Sequence, residues 1–69
     1  RVNWGLGIDT GGTYTDAVLF DFKTRRILHR AKALTSKWRY SQGIIAAVGQ
    51  LPPESLKKVD LVSLSTTLV

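Results

Sequence analysis

The chain is short and basic: it has 69 residues, with ten lysines and arginines against five acidic residues and a formal net charge of +5. It contains no cysteine, so disulfides, thiolate nucleophiles and Cys-ligated metals are excluded, which fits a cytoplasmic protein. No run of about 18 apolar residues and no charged segment ahead of a shorter apolar run is present, so the sequence indicates neither a membrane span nor a signal peptide. A chain of this length is expected to form one domain that buries only about 60% of its unfolded surface.

The first half of the chain predicts three strands, at residues 4–10, 13–22 and 26–34, with a turn over residues 23–25. The first strand ends before the pair Gly11-Gly12, which is a strong signal for a two-residue hairpin turn. The second carries the aromatic and β-branched residues that are typical of strands. These strands are expected to form an antiparallel meander.

A helix is predicted at residues 40–51, because apolar residues recur there at helical spacing. Those that keep to one side, and that we expect in the core, are Tyr40, Ile44, Ile45, Val48 and Leu51. Ser41 is a candidate N-cap that would start the helix one residue later, and the Pro-Pro pair at 52–53 stops it. A single helical turn at 53–57 and a fourth strand at 61–65 follow.

The element order β-β-β-α-β predicts an α/β fold in which an antiparallel meander is followed by one crossover helix. With one helix, one sheet face has little to cover it, so Val18, Phe20 and Phe22 are candidates for exposure and the isolated chain is expected to self-associate. Arg1 stands where an initiator Met would be expected, and residues 61–69 are an apolar run without a terminal turn. We therefore expect residues 1–69 to be a single partial domain, a fragment of a larger protein.

Residues 8–16 place an acid, a glycine pair and several hydroxyls directly after an apolar strand. Glycines allow positive φ and leave no Cβ in the way, so backbone N–H groups there can close around an anion. The combination suits a phosphate and its metal. Taken singly, the same residues also fit an ordinary turn, in which Asp and Thr side chains hydrogen-bond local backbone.

The register of this hairpin can be stated as a hypothesis. If Gly11 and Gly12 are the two loop residues, Asp9 pairs with Tyr14 and Gly7 pairs with Asp16. Cross-strand partners share a face of the sheet, so Asp9 and Asp16 would be diagonal neighbours roughly 7 Å apart or less. Such a pair could hold hydrated Mg²⁺, which is typically bound by one or two carboxylates together with the phosphates of a substrate.

Residues 7–16, Gly-Ile-Asp-Thr-Gly-Gly-Thr-Tyr-Thr-Asp, resemble the opening phosphate loop of the hydantoinase A, 5-oxoprolinase and acetone carboxylase β-subunit family. Tyr14 stands where relatives often carry Phe, which keeps an aromatic ring. The resemblance covers nearly the whole chain, because further residues follow in the family's order: Asp21, Lys32 with Thr35, Gly43-Ile44 and Ser65-Thr66-Thr67.

The resemblance implies the N-terminal part of an actin-like ATPase domain, a ribonuclease H-like fold. It also implies ATP-dependent hydrolysis of a cyclic amide such as a hydantoin or 5-oxoproline, in which phosphorylation of the carbonyl oxygen makes the ring easier to open by water. ATP and Mg²⁺ are the implied cofactors of the parent protein, and a second hydantoinase-type subunit is an implied partner. The remaining catalytic parts would lie beyond Val69, so no ATP hydrolysis is expected from this chain alone.

Carried over residue by residue, the resemblance gives catalytic roles to Asp9 and Asp16, with Asp9 also orienting the metal. Phosphate would be bound by the backbone N–H groups of Gly11, Gly12 and Thr13, and by the hydroxyl of Thr13 or Thr15. Ser65, Thr66 and Thr67 form a second hydroxyl-rich stretch at the end of the fourth strand, where open α/β sheets place their ligand contacts, and Thr66 and Thr67 are the candidate ligand-binding residues in it. A plain β-branched strand end is the equally supported alternative for this stretch.

A basic segment offers an alternative function, the binding of nucleic acid or a protein partner. Seven lysines and arginines lie between residues 23 and 39, and side-chain alternation would put Arg26, Arg30 and Lys32 on one face of the third strand. Such a stripe with nearby aromatic residues suits single-stranded nucleic acid. We favour a solvated edge strand whose charges discourage aggregation, because no nucleic-acid-binding signature accompanies it. Walker-type, dinucleotide-binding and serine-hydrolase motifs are absent from the sequence.

Overall fold

The computed structural model describes residues 3–36 and 39–67, with side chains as far as residue 66, and these form a four-stranded sheet and two helices. The elements in chain order are β1 (Trp4–Gly11), β2 (Tyr14–Asp21), β3 (Arg26–Leu34), α1 (Tyr40–Val48), α2 (Pro53–Leu56) and β4 (Val59–Thr67). The predicted α/β class is confirmed. The order differs from β-β-β-α-β by the short helix α2, which occupies the predicted helical turn.

The strands are arranged in the order β3-β2-β1-β4, so β1 and β2 are central. β2 is antiparallel to both β1 and β3, whereas β4 is parallel to β1. A parallel neighbour requires a crossover connection, which the segment containing α1 and α2 supplies. β4 is longer than the predicted strand at 61–65, because it pairs with β1 along the whole of that strand.

The sheet has one face covered by α1 and one face turned away from it. α1 lies against β2 and β3, and the core forms beneath it from Leu6, Ile8, Ala17, Ala31, Ala47 and Leu51. Side chains alternate between the two faces of a strand. The opposite face, here called the far face, therefore carries Gly7, Asp9, Asp16, Val18, Phe20, Arg30, Lys32, Ser63 and Ser65.

α1 is shorter than predicted and begins without a side-chain cap. It ends at Val48, where the N–H of Gly49 donates to the carbonyl oxygen of Ile45 at 2.8 Å, instead of continuing to residue 51. Arg39 occupies the N-cap position with no side-chain hydrogen bond, so the predicted cap at Ser41 is wrong. Neither helix of the described residues is long and apolar enough to cross a membrane.

The buried side of α1 is centred on its small residues. Gly43 and Ala47 are buried, whereas Ile45 is 69% exposed and Tyr40 is 39% exposed, so the prediction that these two residues belong to the core is wrong. A Cβ at Gly43 would lie 3.0 Å from Oγ1 of Thr15, which shows how closely the helix approaches the sheet. Close approach through these small residues leaves Ile45 and Tyr40 pointing outward, while Ile44 and Val48 pack against the core.

The end of the sheet far from the hairpin loop is tied together by Asp60. One oxygen of its carboxylate accepts hydrogen bonds from the backbone N–H of Asn3 at 2.9 Å and of Trp4 at 3.3 Å. These two donors, that of Asn3 first, hold the pKa of the Asp60 carboxyl below its ordinary value, because they favour the ionised form. Asp60 thereby links the start of β4 to the start of β1.

The apolar residues of the far face lie near this same end of the sheet. The rings of Phe20 and Phe22 meet edge to face with their centroids 5.1 Å apart, and Phe22 covers the backbone of Gly5. Val18 and Phe20 are half-buried, whereas Phe22 is 42% exposed. Partial exposure of this group agrees with the expectation from the sequence, and self-association stays a prediction.

Candidate functional site

The strands β1 and β2 leave residues 12–13 between them, one position later than the predicted loop at 11–12, so the predicted register is wrong. Asp9 pairs directly with Asp16, whereas the sequence suggested Tyr14 opposite Asp9 and Asp16 opposite Gly7. Gly11 still belongs to β1, and no glycine of the described residues has positive φ, so the tight glycine turn does not form. The two strands are displaced by two residues, and an even displacement leaves every side chain on its predicted face.

The two carboxylates therefore face each other at the mouth of the hairpin, on the far face. Directly opposed residues of antiparallel strands have Cα atoms about 4.5–5.5 Å apart, so Asp9 and Asp16 are closer than the predicted diagonal arrangement. Asp9 is exposed and Asp16 is half-buried. On the other side of β1, the hydroxyl of Ser65 in β4 donates to Oδ1 of Asp9 at 3.3 Å. These residues line a shallow depression that includes the bare backbone of Gly7.

Lys32 supplies the positive charge nearest to Asp16. It lies opposite Asp16 on β3, and its Nζ is 3.5 Å from Oδ1 of that carboxylate. The same ammonium lies 4.9 Å from the centre of the Tyr14 ring, within the range of a cation–π contact. The exposed fractions of the two side chains are 60% for Lys32 and 45% for Asp16, so solvent screens the pair and it contributes at most about 1 kcal/mol to folding.

The predicted phosphate-binding backbone lies at the tip of the hairpin beside this carboxylate pair. Gly12 and Thr13 are exposed, and a Cβ at Gly12 would meet no atom within 4 Å. A Cβ at Gly11 would lie 3.1 Å from the carbonyl oxygen of Tyr14, so a side chain there would press on the loop. The carbonyl of Thr13 accepts a hydrogen bond from the N–H of Thr35 at 2.8 Å, which fixes the tip against the end of β3.

Two of the predicted threonine ligands, Thr15 and Thr66, lie on the helix-covered side of the sheet, opposite to the carboxylates. Thr15 is fully buried under α1, and its hydroxyl is 3.0 Å from that of Thr35, so the structure does not bring it to the carboxylates. Thr66 is exposed and lies opposite Thr10 on the helix-covered side of β4. Thr67 pairs with Gly11 at the hairpin tip, and its side chain lies outside the described residues. Asp9 and Asp16 are thus brought together, with the loop backbone and Thr67 beside them.

Three residues near the site were given no role at the carboxylate pair by the sequence. Ser65 and Lys32 flank the pair from the two neighbouring strands, and their contacts with Asp9 and Asp16 could be found only from strand order and register. Thr10 follows Asp9, points to the other face and is fully buried, and its Oγ1 has no hydrogen-bond partner among the described residues. The alternation of side chains in β1 places Thr10 on the core side, but nothing in the sequence indicates that its hydroxyl would lack a hydrogen-bond partner among the described residues.

The basic segment does not form the predicted three-residue stripe. Arg30 and Lys32 lie opposite Val18 and Asp16 on the far face, but a register shift between β2 and β3 leaves Arg26 opposite Asp21. The shift inserts one extra residue in β3 and so reverses the face of everything before it. The stripe is reduced to two cations, of which Lys32 is paired with a carboxylate.

The donor set at the hairpin fits Mg²⁺ carried on a phosphate ligand. The described residues contain no group of three or more His, Cys, Asp or Glu side chains that could hold a metal, so the candidate protein ligands are the two carboxylates of Asp9 and Asp16. Mg²⁺ prefers hard oxygen ligands, keeps several waters and is usually held by one or two carboxylates plus substrate phosphates. The opposed carboxylates and the exposed loop beside them match that requirement.

Comparison with known proteins identifies a family. Residues 5–69 match the model of a family described as the hydantoinase/oxoprolinase N-terminal region, and the match includes the β1–β2 hairpin apart from Trp4. We found no significant match to the chain among curated proteins, and none among solved structures.

Proposed function

The chain belongs to the hydantoinase/oxoprolinase N-terminal region family, and on that premise we propose that its hairpin is the phosphate-binding segment of an ATP-dependent hydrolase that opens cyclic amides of the hydantoin or 5-oxoproline type. The observation that supports this most is the direct pairing of Asp9 with Asp16 beside the loop of Gly11 and Gly12. The chain would supply one part of the active site, with the remaining parts elsewhere in the complete protein.

The carboxylate pair supports a cation at this position on electrostatic grounds. Like charges directly opposite each other destabilise an antiparallel strand pair. Lys32 offsets this repulsion in part, but its ion pair with Asp16 is exposed and therefore weak. A divalent cation between the two strands would reverse the repulsion, and its bound phosphates would reach the exposed tip of the hairpin. The arrangement thus favours a metal that arrives together with an anion.

The proposed roles follow the positions of these residues in the hairpin and in β4. Asp9 holds the metal, Asp16 completes its anionic surroundings, and the backbone N–H groups of Gly11, Gly12 and Thr13 contact phosphate oxygens. Thr66 and Thr67 end a strand next to the hairpin, where ligand contacts are common in open α/β sheets. Thr15, which is buried against Thr35, supports the loop from beneath and does not contact the ligand in this proposal.

The chemistry attributed to the family requires little covalent work from these residues. When bound, Mg²⁺ and ATP would supply the phosphoryl group that activates the carbonyl oxygen of the ring for attack by water. The hairpin positions and neutralises the phosphates, which is the main contribution of a protein to phosphoryl transfer. The strongest requirement is therefore the charge and placement of Asp9, and no nucleophile from this chain is needed.

We further propose an actin-like ATPase fold for the complete domain. The topology supports this fold coarsely. Two antiparallel hairpins are followed by a helical crossover to β4, which is parallel to β1, and the proposed ligand site lies at one end of β1 and β4. A cytoplasmic location and a second hydantoinase-type subunit belong to the same proposal, as properties of the complete protein.

The test is ATP consumption by the complete protein with Mg²⁺, in the presence of hydantoins, 5-oxoproline, or acetone with bicarbonate. Asp9→Asn should abolish substrate-stimulated consumption while leaving the fold intact, because it removes one negative charge at the metal with almost no change in shape. Glu54→Gln is the matched control, since Glu54 is an exposed carboxylate on α2, away from the hairpin. Normal turnover by the Asp9 variant would overturn the proposal, as would an equal loss in both variants.

A further inference from the structure

Resting on the proposed function, we infer that Lys32 is a built-in competitor of the metal: its ammonium occupies the Asp16 carboxylate before the metal binds and sets the metal affinity of the site. The inference comes from the neighbours of one side chain. Lys32 is directly opposite Asp16 in the β2–β3 register, and Asp16 is directly opposite Asp9 in the β1–β2 register. The three charges thus lie in one row across the sheet, in the order positive, negative, negative.

A metal between the two carboxylates would take over the neutralisation of Asp16. Two cations on one carboxylate repel each other, so Lys32 must move away or weaken the metal. Its ion pair with Asp16 is formed at 3.5 Å and is more than half exposed on the lysine side, so it opens at little cost. Competition of this kind lowers the affinity for the metal by a modest factor and does not block the site.

Tyr14 gives the displaced ammonium a second place to bind. The Nζ of Lys32 already lies 4.9 Å from the centre of the Tyr14 ring. A small movement away from Asp16 therefore keeps the cation–π contact while the carboxylate is released. Tyr14 is at the start of β2 and Lys32 is on β3, so the ammonium can move from Asp16 to the Tyr14 ring by rotation of the Lys32 side chain, without a change in the sheet. Lys32 is a positioning residue in this scheme and touches no reacting atom.

Arg30 provides a matched control for the charge of Lys32. It is exposed, it lies on the same strand and the same face, and its partner across the strands is the uncharged Val18. Lys32→Met and Arg30→Met each remove one positive charge from the far face near the site. A general electrostatic effect would change metal affinity similarly in both variants, whereas competition for Asp16 affects the Lys32 variant alone.

The experiment measures Mn²⁺ binding to the 69-residue chain by titration calorimetry and by electron paramagnetic resonance of the free ion, at fixed ionic strength. Thermal melts followed by circular dichroism confirm that each variant is folded. Lys32→Met should bind Mn²⁺ about two- to fivefold more tightly than Arg30→Met, which is the factor that corresponds to one exposed ion pair. In an Asp16→Asn background the difference between the two variants should vanish, because the competition acts through Asp16.

The outcomes separate this inference from the proposed function. Equal affinities of the Lys32 and Arg30 variants would overturn the competition, as would a gain that persists in the Asp16→Asn background. Mn²⁺ binding that Asp9→Asn and Asp16→Asn leave unchanged would show that the metal binds elsewhere, and would overturn the proposed metal site itself. Absence of Mn²⁺ binding by every variant, Lys32→Met included, would overturn the inference that Lys32 sets the metal affinity, whereas the proposed function, in which the metal arrives with phosphates, is tested separately by ATP consumption.

Discussion

At Gly43, α1 packs closely against Thr15 of the β1–β2 hairpin, so Gly43→Ala tests how the loop is supported. The added Cβ would lie 3.0 Å from Oγ1 of Thr15 and 3.1 Å from the carbonyl oxygen of Leu34. The Thr15 hydroxyl is fully buried and is 3.0 Å from the hydroxyl of Thr35, and the carbonyl belongs to strand backbone. Neither atom can move aside freely, so the helix must shift outward by a few tenths of an ångström.

Two opposing terms set the magnitude of this effect. Replacing glycine by alanine inside a helix stabilises it by roughly 0.8–1.0 kcal/mol, whereas forcing an extra carbon into a packed interior costs roughly 1–3 kcal/mol. The expected net result is destabilisation by about 1 kcal/mol. In a domain of this size, that loss lowers the melting midpoint by about 4–8 °C.

The assay is thermal and urea denaturation followed by circular dichroism, with Ser41→Ala as the control. Ser41 is exposed in the first turn of the same helix and makes no capping hydrogen bond, so alanine there should not lower the stability. A midpoint for Gly43→Ala equal to or above that of the original chain would show that α1 does not press on Thr15, and would refute the packing argument.

Three further predictions concern other parts of the fold. Asp60→Asn should lower the melting midpoint at pH 7, and the difference in midpoint from the original chain should shrink as the pH falls below about 4. The reason is that a carboxyl whose pKa is depressed by folding stabilises the fold only in its ionised form. A difference that stays constant down to pH 3 would contradict this. Gly7→Ala should stabilise the chain by about 0.5–1 kcal/mol, because the added Cβ would meet no atom within 4 Å. The same change should lower ATP consumption by the complete protein if the ligand lies over β1. A loss of stability would count against the open space at Gly7. Leu64→Lys, on an exposed residue of the outer strand β4, should shift the chain toward monomer in size-exclusion chromatography, and an unchanged elution profile at high concentration would argue against association through that strand.

The sequence alone was sufficient to locate most elements, because their signals are local. Strand composition, the glycine pair and the Pro-Pro pair marked β1, β2, β3 and the region of α1, with errors of a few residues at the ends. The shared face of Asp9 and Asp16 was also predicted correctly. That result survived an incorrect register because the error was an even number of residues, and side chains alternate with period two. The family assignment likewise rested on a local motif, and the family match confirms it.

Tertiary structure decided the features that depend on how separate segments meet. The direct opposition of Asp9 and Asp16 follows from a loop conformation in which Gly11 remains in β1, and no local signal at the glycine pair distinguishes it from a tight turn. The buried side of α1 is set by close approach at Gly43, which outweighs the apolar spacing that favoured Ile45. The contact between Lys32 and Asp16 requires both the β2–β3 register and the strand order. Propensity acts within a segment, whereas register and packing are determined by the free energy of the assembled sheet. The residue types of the site could therefore be predicted from the sequence, but the order of the charges of Lys32, Asp16 and Asp9 across the sheet could not.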